Sequence, residues 1–116
     1  MSKDIDKLQA AIIKFRDRRD WKQFHNPKDV ALSLVLEASE LMEHFQWKSP
    51  DDIQVYVDKH KKAIGDELAD VLYWVLLMSH DLGIDLVKAL MEKIRKNERK
   101  YPVKKARGKY TKYTEL

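Results

Sequence analysis

Four carboxylates carry the most chemical information in this 116-residue sequence. Glu37 and Glu40 form one i, i+3 pair, and Glu67 and Asp70 form a second. At about 100° per residue, each pair projects from one side of a helix. Such spacing is common, so the face decides what it means. On a helical wheel Val30, Leu34 and Leu41 lie within about 60° of Glu37, and Val71, Trp74 and Met78 lie beside Glu67. Both pairs therefore border sides that should face a core. An unpaired carboxylate there must protonate or find a cation. Residues 30–47 contain no Lys or Arg to serve. A hard divalent cation fits, with oxygen ligands only and phosphate oxygens completing its shell. Mg²⁺, or Mn²⁺ in its place, is the functional reading of Glu37, Glu40, Glu67 and Asp70. The competing reading is two solvated helix edges with ordinary surface ion pairs. Glu43, Asp66 and Glu92 read as surface acids.

A second group of residues suits an organic substrate. The connection around 19–27 holds Trp21, Phe24 and His25, and Trp47 stands near a helix end. Rings in such places can plug a fold or stack on a base. His25 by itself reads more readily as an ordinary polar residue than as a catalyst. Lys93, Asn97, Lys100 and Tyr101 share one helical face at i, i+4, i+7 and i+8. That face is either solvated or a grip for polyphosphate, with Lys as point charge and Asn as amide.

The elements that must position these residues are helical. Ile5, Leu8, Ile12 and Phe15 recur at three and four residues and predict a helix over about 4–20. Asn26-Pro27 opens a second helix, ending near 45. Ser49-Pro50 opens a third, with Ser49 as N-cap, running to 82 with a break expected near Val57. Gly83 stops it, and Asp85 caps a fourth helix over about 85–101. Pro102 ends that one, and an irregular basic tail is expected from about 102 to 116. No segment alternates with period two for long, so the reading is all-α, four main helices in a single domain spanning 1–116. Residues 71–78 are apolar on every side. Such a helix must be buried all round. One small four-helix layer does not do that, and a homo-oligomer is expected.

Composition narrows the class. Hydrophobic residues are 44% and charged residues 36%, too apolar for disorder and too charged for a membrane protein. The longest apolar run falls far short of a bilayer span. With no cysteine, a disulfide framework or a thiolate zinc site is excluded. The first residues do not read as a secretory signal, and a cytoplasmic setting is expected. Net charge is +4, but residues 93–112 contain ten basic residues and one acid, a local +9 that leaves −5 elsewhere. An acidic body with a basic tail suits a metal-bound polyphosphate better than a duplex, so nucleic acid is not an expected partner.

With these residues assembled, the chain resembles the all-α MazG-like nucleoside triphosphate pyrophosphohydrolases, and within them the dCTP pyrophosphatase branch. The likeness runs through Arg19-Asp20-Trp21, Gln23-Phe24-His25, Glu37-x-x-Glu40-Leu41, Phe45-Gln46-Trp47 and 66–72. It continues through Asn97 to Tyr101-Pro102 and ends with Lys112-Tyr113-Thr114-Glu115-Leu116. The resemblance implies that the four carboxylates hold Mg²⁺. It implies that Trp21, His25 and Trp47 contribute to a nucleobase and sugar pocket. Lys93 and Asn97, with Lys100 and Tyr101, would contact phosphates or sugar. Trp74 stands where relatives can carry a Tyr hydroxyl; its indole donates one hydrogen bond and accepts none. Dimers or tetramers are implied as well.

The implied reaction converts a dNTP, with dCTP or 5-modified dCTP favoured, to dNMP and pyrophosphate for pool sanitation. It needs positioning and charge more than a nucleophile, with Glu40 the expected contact for the attacking water. The alternatives are a broader house-cleaning NTP pyrophosphatase, a helical interaction module that has lost the chemistry, and a nucleic-acid binder using the basic tail.

Overall fold

The structure, a computed structural model, describes residues 3–116. Its main helices are α1 (Lys3–Arg18), α2 (Pro27–Glu43), α3 (Pro50–Leu82) and α4 (Leu86–Lys100), followed by the short α5 (Val103–Ala106). Two 3₁₀ turns, Lys22–Phe24 and Tyr113–Glu115, complete the regular structure. No strand occurs among the described residues. No helix among them is long and apolar enough to cross a membrane.

Local chemistry explains the boundaries. Asn26 Oδ1 accepts from the Asp29 N–H at 2.9 Å, and Pro27 needs no donor at the first helical position. Ser49 and Asp85 cap α3 and α4 in the same way, accepting from Asp52 and Lys88. Gly83 adopts φ 66°, the left-handed turn that closes α3 and that a side chain would strain.

Helices α2 and α3 form an antiparallel hairpin, and α1 packs across the second half of α3. The fully buried apolar centre is small: Val30, Leu76 and Leu77. Polar side chains join it from α1. Gln9 Nε2 donates to the Leu76 carbonyl at 2.8 Å and to Ser79 Oγ at 2.9 Å. Arg16, only 1% exposed, donates to Asp81 at 2.7 Å.

Two details differ from the sequence expectations. The break in α3 falls at His60 (φ −125°, ψ 24°), not near Val57. The His60 Nδ1–H donates to the Tyr56 carbonyl at 2.9 Å, satisfying an acceptor within the kinked turn. The tail is not wholly irregular: it turns back through Tyr113, whose ring meets the edge of Tyr101 and lies 4.6 Å from Lys100 Nζ. The 71–78 run, in keeping with a small four-helix layer, is only half covered within one chain. Leu76 and Leu77 are buried, while Leu72 is 44% exposed.

Helix α4 stands away from the α1–α3 layer. Its apolar Leu90, Met91 and Ile94 remain open to solvent. The radius of gyration is 17.7 Å, against about 13 Å for a compact chain of this size.

Candidate metal centre and substrate groove

The hairpin brings the two carboxylate pairs together. Glu37 and Glu40 come from α2, Glu67 and Asp70 from α3, and one oxygen of each lies within 4.8 Å of the others. Glu37 and Glu67 are half-buried, and Glu40 and Asp70 are exposed. Glu40 sits between Glu37 and Glu67, within hydrogen-bonding reach of both. Two carboxyl groups share a hydrogen bond only if a proton lies between them.

The electrostatics agree. Burial, then the Glu40 hydrogen bond and the charges of Glu40 and Asp70, push the Glu37 carboxyl above its usual range; the neighbouring Trp74 indole N–H works the other way. Burial and the same neighbours push Glu67 up, with His44 opposing. The Oε2 atoms of Glu37 and Glu67 are buried without a hydrogen-bond partner. Among the described residues, no Lys, Arg or His forms an ion pair with any of the four. Orphaned acceptors, mutual repulsion and an all-oxygen donor set fit a hard divalent cation. The reading as solvated edges with ordinary ion pairs does not account for them.

Two grooves open from this cluster. The first, about 500 Å³, is lined by Leu8, Ala11, Ile12 and Phe15 of α1, by Trp21, and by Tyr73 and Trp74 of α3; Glu37 and Asp70 stand in its wall. It is an aromatic slot ending in acid. Phe15 meets the edges of Trp21 at 5.7 Å and Tyr73 at 6.2 Å. Burial raises the Tyr73 phenol above its usual range, against the lowering charges of Arg16 and Arg19. The second groove, about 370 Å³, is polar and is lined by Glu40, Glu43, His44, Tyr56 and Glu67.

The expected substrate residues divide. Trp21 and Trp74 line the aromatic groove beside the carboxylates. His25 does not; it lines a separate groove with Val30 and Met78 and meets Trp74 edge-on at 5.5 Å. There burial, then the charge of Arg16, lowers its pKa against the raising effect of Asp81. Trp47 is 93% exposed and lines neither groove. Lys93, Asn97, Lys100 and Tyr101 lie on or just after α4, away from both grooves.

Sequence reasoning missed Tyr73, Phe15, His44 and Tyr56 as groove residues. His44 carried a signal, standing one turn beyond Glu40 on the same face. Phe15 read only as part of a core stripe.

The MazG-like family profile matches residues 32–116, most of the chain and both carboxylate pairs. The chain belongs to the MazG-like family. It is 40% identical to dCTP pyrophosphatase 1 of Rattus norvegicus over 115 residues, 97% of this chain and 66% of that protein. Identity to dCTP pyrophosphatase 1 of Homo sapiens is 39% over the same share. The chain thus spans about two-thirds of these MazG-like relatives' length. A solved pyrophosphatase from Archaeoglobus fulgidus superposes with a TM-score of 0.83 at 36% identity, over 88% of this chain and 95% of that one.

Proposed function

We propose that this chain is a divalent-cation-dependent pyrophosphohydrolase that converts dCTP, or a 5-modified dCTP, to the monophosphate and pyrophosphate. One observation carries the reading: an unpaired four-carboxylate cluster, two of whose members, Glu37 and Asp70, stand in the wall of an aromatic groove. The names of the relatives support the substrate class.

Glu37, Glu40, Glu67 and Asp70 would hold the cation, Mg²⁺ or Mn²⁺. When bound, it neutralises the polyphosphate and lowers the pKa of a coordinated water. The chain supplies the rest. Trp21, Phe15 and Trp74 give the nucleobase an apolar slot that excludes water. Trp74 stands beside Glu37 in the groove wall, and His25 backs the indole. Glu40, the exposed acid between the two half-buried ones, would contact the attacking water.

Trp47, Lys93, Asn97, Lys100 and Tyr101 reach a site only if copies of the chain assemble. The open apolar stripe of α4 and the exposed Trp47 support a homodimer or homotetramer in which these residues serve a neighbouring groove. Light scattering on the purified protein tests that assembly.

A hydrolysis panel tests the activity. The protein with Mg²⁺ is given the four dNTPs, the four NTPs, dUTP and 5-methyl-dCTP, and the products are separated. Monophosphate and pyrophosphate, lost in Glu37→Ala and Asp70→Ala, are expected. A broad substrate range would replace the cytosine preference with general pool cleaning. No turnover, or free phosphate and diphosphate as products, would leave a helical interaction module.

A further inference from the structure

We propose that His44 and Tyr56 form a subsite for the pyrophosphate end of the triphosphate. The proposal rests on the pyrophosphohydrolase reading and adds a direction to it.

The carboxylates form a ladder along the hairpin. Along α2 the order is Glu37, Glu40, then the C-cap His44 one turn further on, about 6 Å along the axis. Antiparallel α3 presents Asp70, Glu67 and, about three turns further on beyond the His60 kink, Tyr56 in the same direction. The aromatic groove touches the ladder only at Glu37 and Asp70. The polar groove touches it at Glu40 and Glu67 and ends on His44 and Tyr56. A base seated in the first groove sends its phosphates across the ladder into the second.

That far end is built. His44 Nδ1 and Tyr56 Oη lie 2.6 Å apart. If the phenol donates, His44 keeps an Nε2–H; if the imidazole donates, Tyr56 keeps its O–H. Either arrangement leaves one donor uncommitted. The Tyr56 ring is fixed by parallel stacking on His60, 3.9 Å between centroids and 13° between planes. Lys48 Nζ lies 4.3 Å over the same ring. The His60 kink and its bond to the Tyr56 carbonyl belong to this arrangement. An incidental surface pair does not require a bent helix and a stacked support. Glu43 on the rim is an acceptor only. It repels a bare anion, so the occupant is a metal-complexed pyrophosphate.

The test is calorimetric titration of the full chain with magnesium pyrophosphate and, separately, with dCMP, beside hydrolysis assays. Of His44→Leu and Tyr56→Phe, the one that removes the uncommitted donor is expected to weaken pyrophosphate binding about tenfold, the loss of one hydrogen bond to a charged group. dCMP binding should stay within about twofold, and His44→Gln, which keeps an N–H, should recover part of the loss. Tyr56→Phe preserves the stacked ring, and His44→Phe, a ring without a donor, replaces His44→Leu if that variant does not fold. Unchanged pyrophosphate binding in the variants of both residues, or equal weakening of both probes, overturns the subsite. Wild-type protein that binds neither probe and turns over no triphosphate overturns the pyrophosphohydrolase reading, and the subsite falls with it.

Discussion

Arg16 Nη1 donates to Asp81 Oδ2 at 2.7 Å, tying α1 to the last turn of α3 behind the aromatic groove. The guanidinium is 1% exposed and its other carboxylate neighbour, Asp17, is 3.7 Å away, so removing Asp81 leaves a buried charge with only that longer pair. Asp81→Asn should lower stability by about 3 kcal/mol, read from urea unfolding. Burial raises the Asp81 carboxyl, but the bonds and charges of Arg16 and His80 outweigh it, and its pKa falls below the ordinary 3.8. A lowered acid stabilises the fold fully above its unfolded value and loses that stabilisation as pH falls through the folded one. Wild-type urea midpoints should therefore drop on acidification below about pH 4 more steeply than those of Asp81→Asn. Equal slopes would remove Asp81 as the source.

The metal-free carboxylate cluster repels itself. Glu37→Gln should raise the Tm of the metal-free protein, by the equivalent of about 1 kcal/mol. It should also abolish the gain that Mg²⁺ gives the wild type, about 2.7 kcal/mol at a hundredfold excess over Kd. Thermal melts with and without Mg²⁺ in the presence of chelator controls read both effects. A variant less stable than wild type without metal would show that Glu37 is a structural acid.

Trp21 and Phe15 are the groove rings most open to solvent, each 42% exposed, and of the two Trp21 lies outside the main helices. Trp21→Ala should raise KM for dCTP by about 1–3 kcal/mol equivalent, the worth of one base stack. Trp21→Phe should restore most of it. Steady-state kinetics with dCTP decide the matter, and an unchanged KM places the base elsewhere.

Trp47 combines near-complete exposure with a left-handed φ of 70°. A bulky residue held there strains the backbone. Trp47→Gly should stabilise the chain by about 1 kcal/mol and depress turnover of dCTP. Melting and kinetics measured on the same preparation separate the two. Full activity in that variant would exclude the indole from the site.

The ladder was legible because helix periodicity placed acids on apolar faces, and nothing about Glu37 or Asp70 needed tertiary information beyond that. The caps at Ser49, Asp85 and Gly83 were equally local. What escaped was set by packing between distant segments. Arg16 reads as an ordinary basic residue near a helix end, and only the approach of Asp81 explains its burial. The α3 break moved to His60 because ring stacking on Tyr56 and a side-chain bond to its carbonyl operate there. Neither leaves a Gly or Pro in the sequence. Trp47 and the α4 residues share the general trouble of surfaces: spacing puts them on a face but does not say what lies opposite.

All four carboxylates sit on α2 and α3, neighbours in the chain, whereas Leu8, Ala11, Ile12 and Phe15 reach the groove from α1. Assembly of the acidic ladder therefore requires only a short-range loop closure. Docking of α1, secured by Gln9 and Arg16, requires a long-range one. The acids meet within the α2–α3 hairpin alone. The aromatic groove is shared between the two closures: α1 supplies its aliphatic wall and Phe15, α3 supplies Tyr73 and Trp74, so the acidic cluster forms in the hairpin and the groove is complete only once α1 has docked.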